Sequence, residues 1–187
     1  MAILAQDLEL VSRCKEGDSQ AFERLVVKYQ DRLVNALTHF LGESVTAQDL
    51  AQEVFLKAFL RIRDFRGESQ FYTWMYAIAR NMATSHLRTA ARKGRTLAIP
   101  QGAEELEAPE SLGDDPVRRA MSRDLERTVQ QALQALDPDA RWIVVMRDID
   151  GRDYEEIAES AGVPVGTVKS RLHRARMQMR QLLEGRV

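Results

Sequence analysis

Residues 154 to 176 read Tyr-Glu-Glu-Ile-Ala-Glu-Ser-Ala-Gly-Val-Pro-Val-Gly-Thr-Val-Lys-Ser-Arg-Leu-His-Arg-Ala-Arg, and their spacing predicts a helix-turn-helix. Asp153 stands ahead of the first helix with Glu156 three residues on, an Asp variant of the capping box. Ile157, Ala158 and Ala161 supply an inner face. Gly162 offers the backbone freedom of a tight turn, and Pro164 suits the first position of the next helix. On that second helix Val168, Leu172, Ala175, Met179 and Leu182 recur at alternating steps of four and three, which makes one buried stripe. Ser170, His173, Arg174 and Met177 then point away from it, with Thr167, Lys169, Arg171 and Arg176 on the flanks. Short or hydrogen-bonding groups at the front and cations at the margins suit a helix in the DNA major groove: the front reads base edges and the margins reach phosphates.

Outward from that stretch, charge is unevenly distributed. The 187-residue chain has a formal net charge of −1, yet nine Lys or Arg fall between Lys57 and Arg95 against only Asp64 and Glu68. Residues 101–116 hold six acids and no base. A near-neutral total therefore conceals basic segments of the kind that bind nucleic acid. Cys14 is the single cysteine, so an intramolecular disulfide and a cysteine-cluster metal site are both excluded. No apolar run has the length of a membrane span and no signal-type segment opens the chain, so a cytoplasmic protein is expected.

Pro100, Pro109 and Pro116 lie in the acidic stretch, where helical periodicity lapses. The expected organisation is all-α: two small helical domains, 1–92 and 119–187, joined by a flexible acidic linker over 93–118, the second domain carrying the helix-turn-helix. In the first domain the spacing predicts helices over Asp7–Lys15, through Phe22–Phe40, from a Thr46 cap to about Arg63, and over Phe71–Arg92. In the second, helices are expected from Val117 and from Asp137-Pro138, where Asp caps and Pro takes the first position. The helix from Phe71 crowds Phe71, Tyr72, Trp74 and Tyr76 into its first turns and follows them with Arg80, Asn81 and His86. Rings that stack on unpaired bases beside cations and an amide suit single-stranded nucleic acid; an aromatic stripe serving as core is the alternative from residues alone.

Three segments taken together resemble one family. Asp49-Leu-Ala-Gln-Glu-Val-Phe-Leu-Lys-Ala58, then Phe65-Arg-Gly-Glu-Ser-Gln-Phe-Tyr-Thr-Trp-Met-Tyr-Ala-Ile-Ala-Arg-Asn81, then Tyr154-Glu-Glu-Ile-Ala through Val165-Gly-Thr-Val-Lys-Ser-Arg-Leu-His-Arg-Ala-Arg176 are similar, in order, to the extracytoplasmic-function (group 4) sigma factors of bacterial RNA polymerase. The resemblance implies a non-catalytic factor that directs core polymerase to promoters and assists melting of the –10 element. Asp49, Gln52, Glu53, Phe55 and Lys57 would then dock on the polymerase clamp. Phe65, Ser69, Gln70 and Phe71 would form a pocket for a flipped –10 base, with Tyr72, Trp74, Tyr76, Arg80 and Asn81 on the opened strand. Lys169, Ser170, His173 and Arg174 would face the –35 element, while Arg147, Tyr154, Thr167, Arg171 and Arg176 would take phosphates.

The same resemblance implies three partners: core RNA polymerase, promoter DNA as duplex and as single strand, and an anti-sigma factor, often membrane-anchored. No metal, cofactor or stable homo-oligomer is expected. The linker is expected to join sites that polymerase holds apart rather than domains packed on each other. Its acids Glu104, Glu105 and Glu107 could mimic nucleic acid near the RNA exit channel, and an apolar cleft between the domains is expected to receive a partner helix. Arg152-Asp153 departs from the family's usual Leu-Ser. A free-standing helix-turn-helix regulator is the competing reading. A recombinase would need a nucleophile and an Arg cluster on a catalytic domain with strands, and the sequence has no strand-like alternation.

Overall fold

The computed structural model describes residues 2–93 and 116–184. Among them every regular element is helical, as expected. The first unit comprises α1 (Ala2–Lys15), α2 (Ser19–Leu41), α3 (Ser44–Leu60) and α4 (Phe71–Arg92), with a 3₁₀ turn over Ile62–Asp64. The second comprises α5 (Pro116–Gln134), α6 (Pro138–Val144), α7 (Tyr154–Ala161) and α8 (Val165–Glu184). Most of the expected linker, with Glu104, Glu105 and Glu107, lies outside the described residues; its last positions already belong to α5.

Local chemistry sets the helix ends. Asp18 accepts a hydrogen bond from the Ala21 N–H at 3.1 Å and so caps α2. Arg13, 2.6 Å away, holds the Asp18 carboxyl below its ordinary pKa, chiefly by hydrogen bonding. α2 ends at Gly42, whose φ of +84° is left-handed and whose N–H returns to the Thr38 carbonyl. α3 begins two residues before the expected Thr46 cap. Thr46 Oγ1 instead donates to Glu43 Oε2 at 2.8 Å, from inside the first turn.

Leu25, Leu33, Leu37, Phe40 and Met75 are fully enclosed between α2, α3 and α4. Each such side chain contributes about 1.5–3 kcal/mol by leaving water. In the second unit Leu133, Ile143, Val168 and Leu172 do the same for α5, α6 and α8. Beyond Val144, α6 widens into a π turn over Val145–Ile149. Such a turn carries an extra residue, which here brings Asp148 to Arg176 and Asp150 to Tyr72.

The two units pack directly on each other, contrary to the expectation of separated domains. Phe40 and Trp142 meet edge to face at 5.3 Å, and Tyr76 lies 6.1 Å from the same indole. Trp142 is fully buried. Carbonyls at the C-terminal end of α2, which have no intrahelical donor, take theirs from the second unit. Gln130 Nε2 reaches His39 O at 2.9 Å, and Arg141 Nη1 reaches Phe40 O at 2.9 Å. The junction is thus filled, and no cleft for a partner helix opens there.

Candidate nucleic-acid interface

The helix-turn-helix forms as its spacing predicts. Glu156 N–H donates to Asp153 Oδ1 at 2.7 Å and Asp153 N–H to Glu156 Oε2 at 3.2 Å, which closes the capping box. Gly162 adopts φ +66° and ends α7. Pro164 sits one residue before α8, and its carbonyl accepts from the Val168 N–H. Val168, Leu172 and Ala175 are buried and Met179 is partly so. Ser170, His173, Arg174 and Met177 stand on the open face, with Lys169 and Arg176 exposed beside them. Thr167 and Arg171 are half-buried on the flank.

Three expected phosphate-contact residues gather at one corner of this unit. Arg147 lies 4.8 Å and Lys169 5.4 Å from the Tyr154 ring centre, so two cations share one aromatic face. Arg176 is paired with Asp148, whose hydrogen bond raises the guanidinium pKa. Arg171 Nη1 lies 3.4 Å from Asp139 Oδ2.

In the first unit the aromatic cluster divides. Phe65 and Phe71 are buried and pack edge to face at 6.1 Å. Trp74 rests on both and remains partly exposed. Asn81, seven residues on, is exposed. Ser69 and Gln70 border a recess of about 430 Å³ with Gly67 and Glu68, and its opposite wall carries Asp153, Glu155, Glu156 and Glu159 of the second unit.

Tyr72 and Tyr76, expected on the opened strand, are instead covered by the second unit. Tyr72 donates to Asp150 Oδ2, and the Arg152 guanidinium lies 3.6 Å from its ring centre. Tyr76 is fully buried, and burial pushes its hydroxyl pKa up. Arg80 Nη2 lies 2.5 Å from Asp139 Oδ1. In this arrangement neither tyrosine ring is open to nucleic acid and Arg80 already has a carboxylate partner.

On α3, Asp49, Gln52, Glu53 and Lys57 are all exposed. Phe55 is not a surface group; at 8% exposure it packs into the core that α2, α3 and α4 share. The apolar groups presented to solvent are Leu56 at 59%, Phe59 at 39% and Leu60 at 72%. Sequence reasoning passed over these three; they extend an α3 face beyond what its core contacts require, and that surplus was the available signal. A second apolar surface, a groove of about 540 Å³, lies within the second unit between α5, α6 and α8, lined by Val129, Leu133, Val144, Ile149, Met179 and Leu183.

Among the described residues no group of His, Cys, Asp and Glu could hold a metal ion, and no helix is long and apolar enough to cross a membrane.

Comparison with known proteins agrees with this layout. Residues 25–93 match the family described as sigma-70 region 2, and residues 126–179 match sigma-70 region 4. The chain is 41% identical over 182 residues to the RNA polymerase sigma-H factor of Pseudomonas aeruginosa, covering 96% of this chain and 94% of that protein. It is 38% identical over 179 residues to the ECF RNA polymerase sigma-E factor of Haemophilus influenzae, covering 94% of each. Among solved structures, the sigma factor RpoE in complex with the anti-sigma factor NepR from Bartonella quintana shares the fold with a TM-score of 0.66 at 24% identity, covering 89% of this chain and 98% of that one. With both regions in order and the identity sustained along almost the whole chain, the protein belongs to the ECF sigma factors, which direct bacterial RNA polymerase to promoters.

Proposed function

We propose that the two units, as regions 2 and 4, divide promoter recognition along the faces described above. Region 4 anchors on –35 duplex through the outer face of α8. Arg174, His173 and Ser170 meet base edges there, and Arg147, Tyr154, Lys169 and Arg176 take phosphates. Region 2 docks on core polymerase through the exposed α3 face, with Asp49, Gln52, Glu53 and Lys57 as polar contacts and Leu56, Phe59 and Leu60 as the apolar ones. Trp74 and Asn81 then meet the –10 strand beside the Ser69–Gln70 recess. An unstacked base costs a few kcal/mol to extrude, and stacking on an aromatic ring returns about 1–3 kcal/mol per base. The chain acts as a cytoplasmic initiation factor without catalytic chemistry of its own.

The observation that carries this reading is the exposed surface of α8: every group on its outer face is hydrogen-bonding or cationic except Met177, and the buried stripe lies opposite. An anti-sigma partner is part of the proposal, on the strength of the fold shared with a sigma factor bound to one. Gel shift with and without core polymerase tests it. Promoter fragments should be retained only with core polymerase present. Tight operator binding by a dimer alone would replace this reading with a free-standing regulator.

A further inference from the structure

The junction between the units is built from the groups that the proposed function requires to be free. Tyr72 is clasped between Arg152 at 3.6 Å and Arg32 at 5.6 Å, and its hydroxyl donates to Asp150. The Asp150 carboxylate also accepts from Arg152 at 2.7 Å and Arg32 at 3.3 Å. Asp139 bridges Arg80 of region 2, at 2.5 Å, and Arg171 of the DNA-facing helix, at 3.4 Å. One carboxylate therefore occupies two cations, one from each proposed DNA surface, in the way a phosphate would. Four acids at the start and along α7 face the Ser69–Gln70 recess, where they repel an approaching nucleic-acid backbone.

The same junction lacks the polar completeness of a permanent core. Among the described residues, five buried side-chain atoms have no hydrogen-bond partner within the protein: Thr73 Oγ1, Tyr76 OH, Arg141 Nε, Trp142 Nε1 and Arg152 Nη2. Every one belongs to a residue at or beside this junction. Unpaired buried polar groups weaken a contact, and separation of the units would return them to water or DNA. Gly42 is fitted to the contact as well: a Cβ there would stand 2.9 Å from Gln134 Nε2, which donates to His39 O.

We propose that this junction is an autoinhibitory clasp: in the free chain, Asp139, Asp150 and Arg152 hold region 4 over Tyr72, Tyr76 and Arg80, and promoter contact requires its release. The inference rests on the assignment of those region 2 groups to DNA. Arg152 gives the clasp its particular character, since the family usually carries Leu at that position.

The test uses the full chain without polymerase. Asp139→Asn combined with Arg152→Leu removes the bridging charge and the guanidinium on Tyr72. Asp139→Asn alone serves as the variant that does not endanger the fold, the Asp139 side chain being 44% exposed. Small-angle X-ray scattering reads compaction, and fluorescence anisotropy with a labelled 12-nucleotide oligo(dT) reads access to single-stranded DNA. The double variant should have a larger radius of gyration and bind oligo(dT) about tenfold more tightly, the gain expected when a binding-competent state rises from about a tenth to most of the population. Asp139→Asn alone should move both readings in the same direction. A wild type already as extended as the variants overturns the clasp, as does opening without a gain in DNA affinity. If scattering and anisotropy change as expected but the wild type starts no transcription with core polymerase on a genomic promoter library, the promoter assignment fails and the clasp stands.

Discussion

Arg80 of α4 and Asp139 of α6 meet at 2.5 Å although they are 59 positions apart in the chain. That pair joins the unit proposed to open the –10 element to the unit proposed to hold the –35 element. The arginine side chain is 18% exposed and the aspartate 44%, so the contact sits at the rim of the junction, where solvent weakens it. Deeper in the junction, Trp142 and Tyr76 are closed off from water altogether. A charged rim and an apolar centre give the contact specificity and area together.

Arg174→Ala should cost about 1–3 kcal/mol at one –35 position and relax sequence preference there, because its side chain stands on the open face of α8. Selection from a –35 library with randomised positions checks this. A uniform loss across all sequences would make Arg174 a phosphate contact and shift the reading face of the helix.

Glu53→Arg should weaken core polymerase binding by charge reversal and leave the helix content intact, since Glu53 is exposed. Leu60→Asp should do the same from the apolar side, at a residue 72% exposed and free of core contacts. Affinity for core polymerase by anisotropy, with circular dichroism alongside, decides it; unchanged affinity in both variants would move the docking face off α3.

Trp74 and Asn81 lie two turns apart on α4 and share a face. Trp74→Ala should reduce open-complex formation on duplex promoters by up to roughly a hundredfold, given about 1–3 kcal/mol for one stacked base. A promoter pre-melted across the –10 element should restore part of that loss, and less of the loss from Asn81→Ala if the amide reads a base. Should Trp74→Ala lower the melting temperature and leave opening unchanged, the indole is packing for Phe65 and Phe71 and nothing more.

Arg141→Met should destabilise the folded chain by about 3 kcal/mol or more. It strips donors from the buried carbonyls of Phe40 and Leu136, at about 1–3 kcal/mol for each acceptor left unpaired. Burial already lowers the Arg141 pKa to about 10, a measure of how closely the guanidinium is enclosed. Urea denaturation reads the loss, and a variant as stable as wild type would show that water replaces the arginine at those carbonyls.

Cys14 is buried, and its desolvation raises the thiol pKa above the ordinary value. The thiolate fraction at neutral pH is therefore small and sheltered. Native protein should resist N-ethylmaleimide until denaturant is added, by mass spectrometry; rapid native labelling would show α1 detaching from α2.

Much of the molecule was legible from local chemistry. The helix-turn-helix, its Asp153–Glu156 box, the buried stripe of α8 and its open face all follow from caps and from a 3.6-residue period, which act within a few residues of one another. The all-helical class and the division into regions 2 and 4 follow from the same signals repeated along the chain. Periodicity does not say how wide the buried face is, and so Phe55 read as surface when Leu56, Phe59 and Leu60 hold that place.

What only the tertiary structure decided is the fate of side chains that another element covers. Tyr72, Tyr76 and Arg80 sit on a helix whose pattern fits exposure to nucleic acid equally well; Asp150, Trp142 and Asp139, between 59 and 78 positions away for the two hydrogen-bonded pairs, close over them. A hydrogen bond or ring contact across that separation leaves no period in the sequence, because its geometry depends on how two finished helical units meet rather than on the turn of either one.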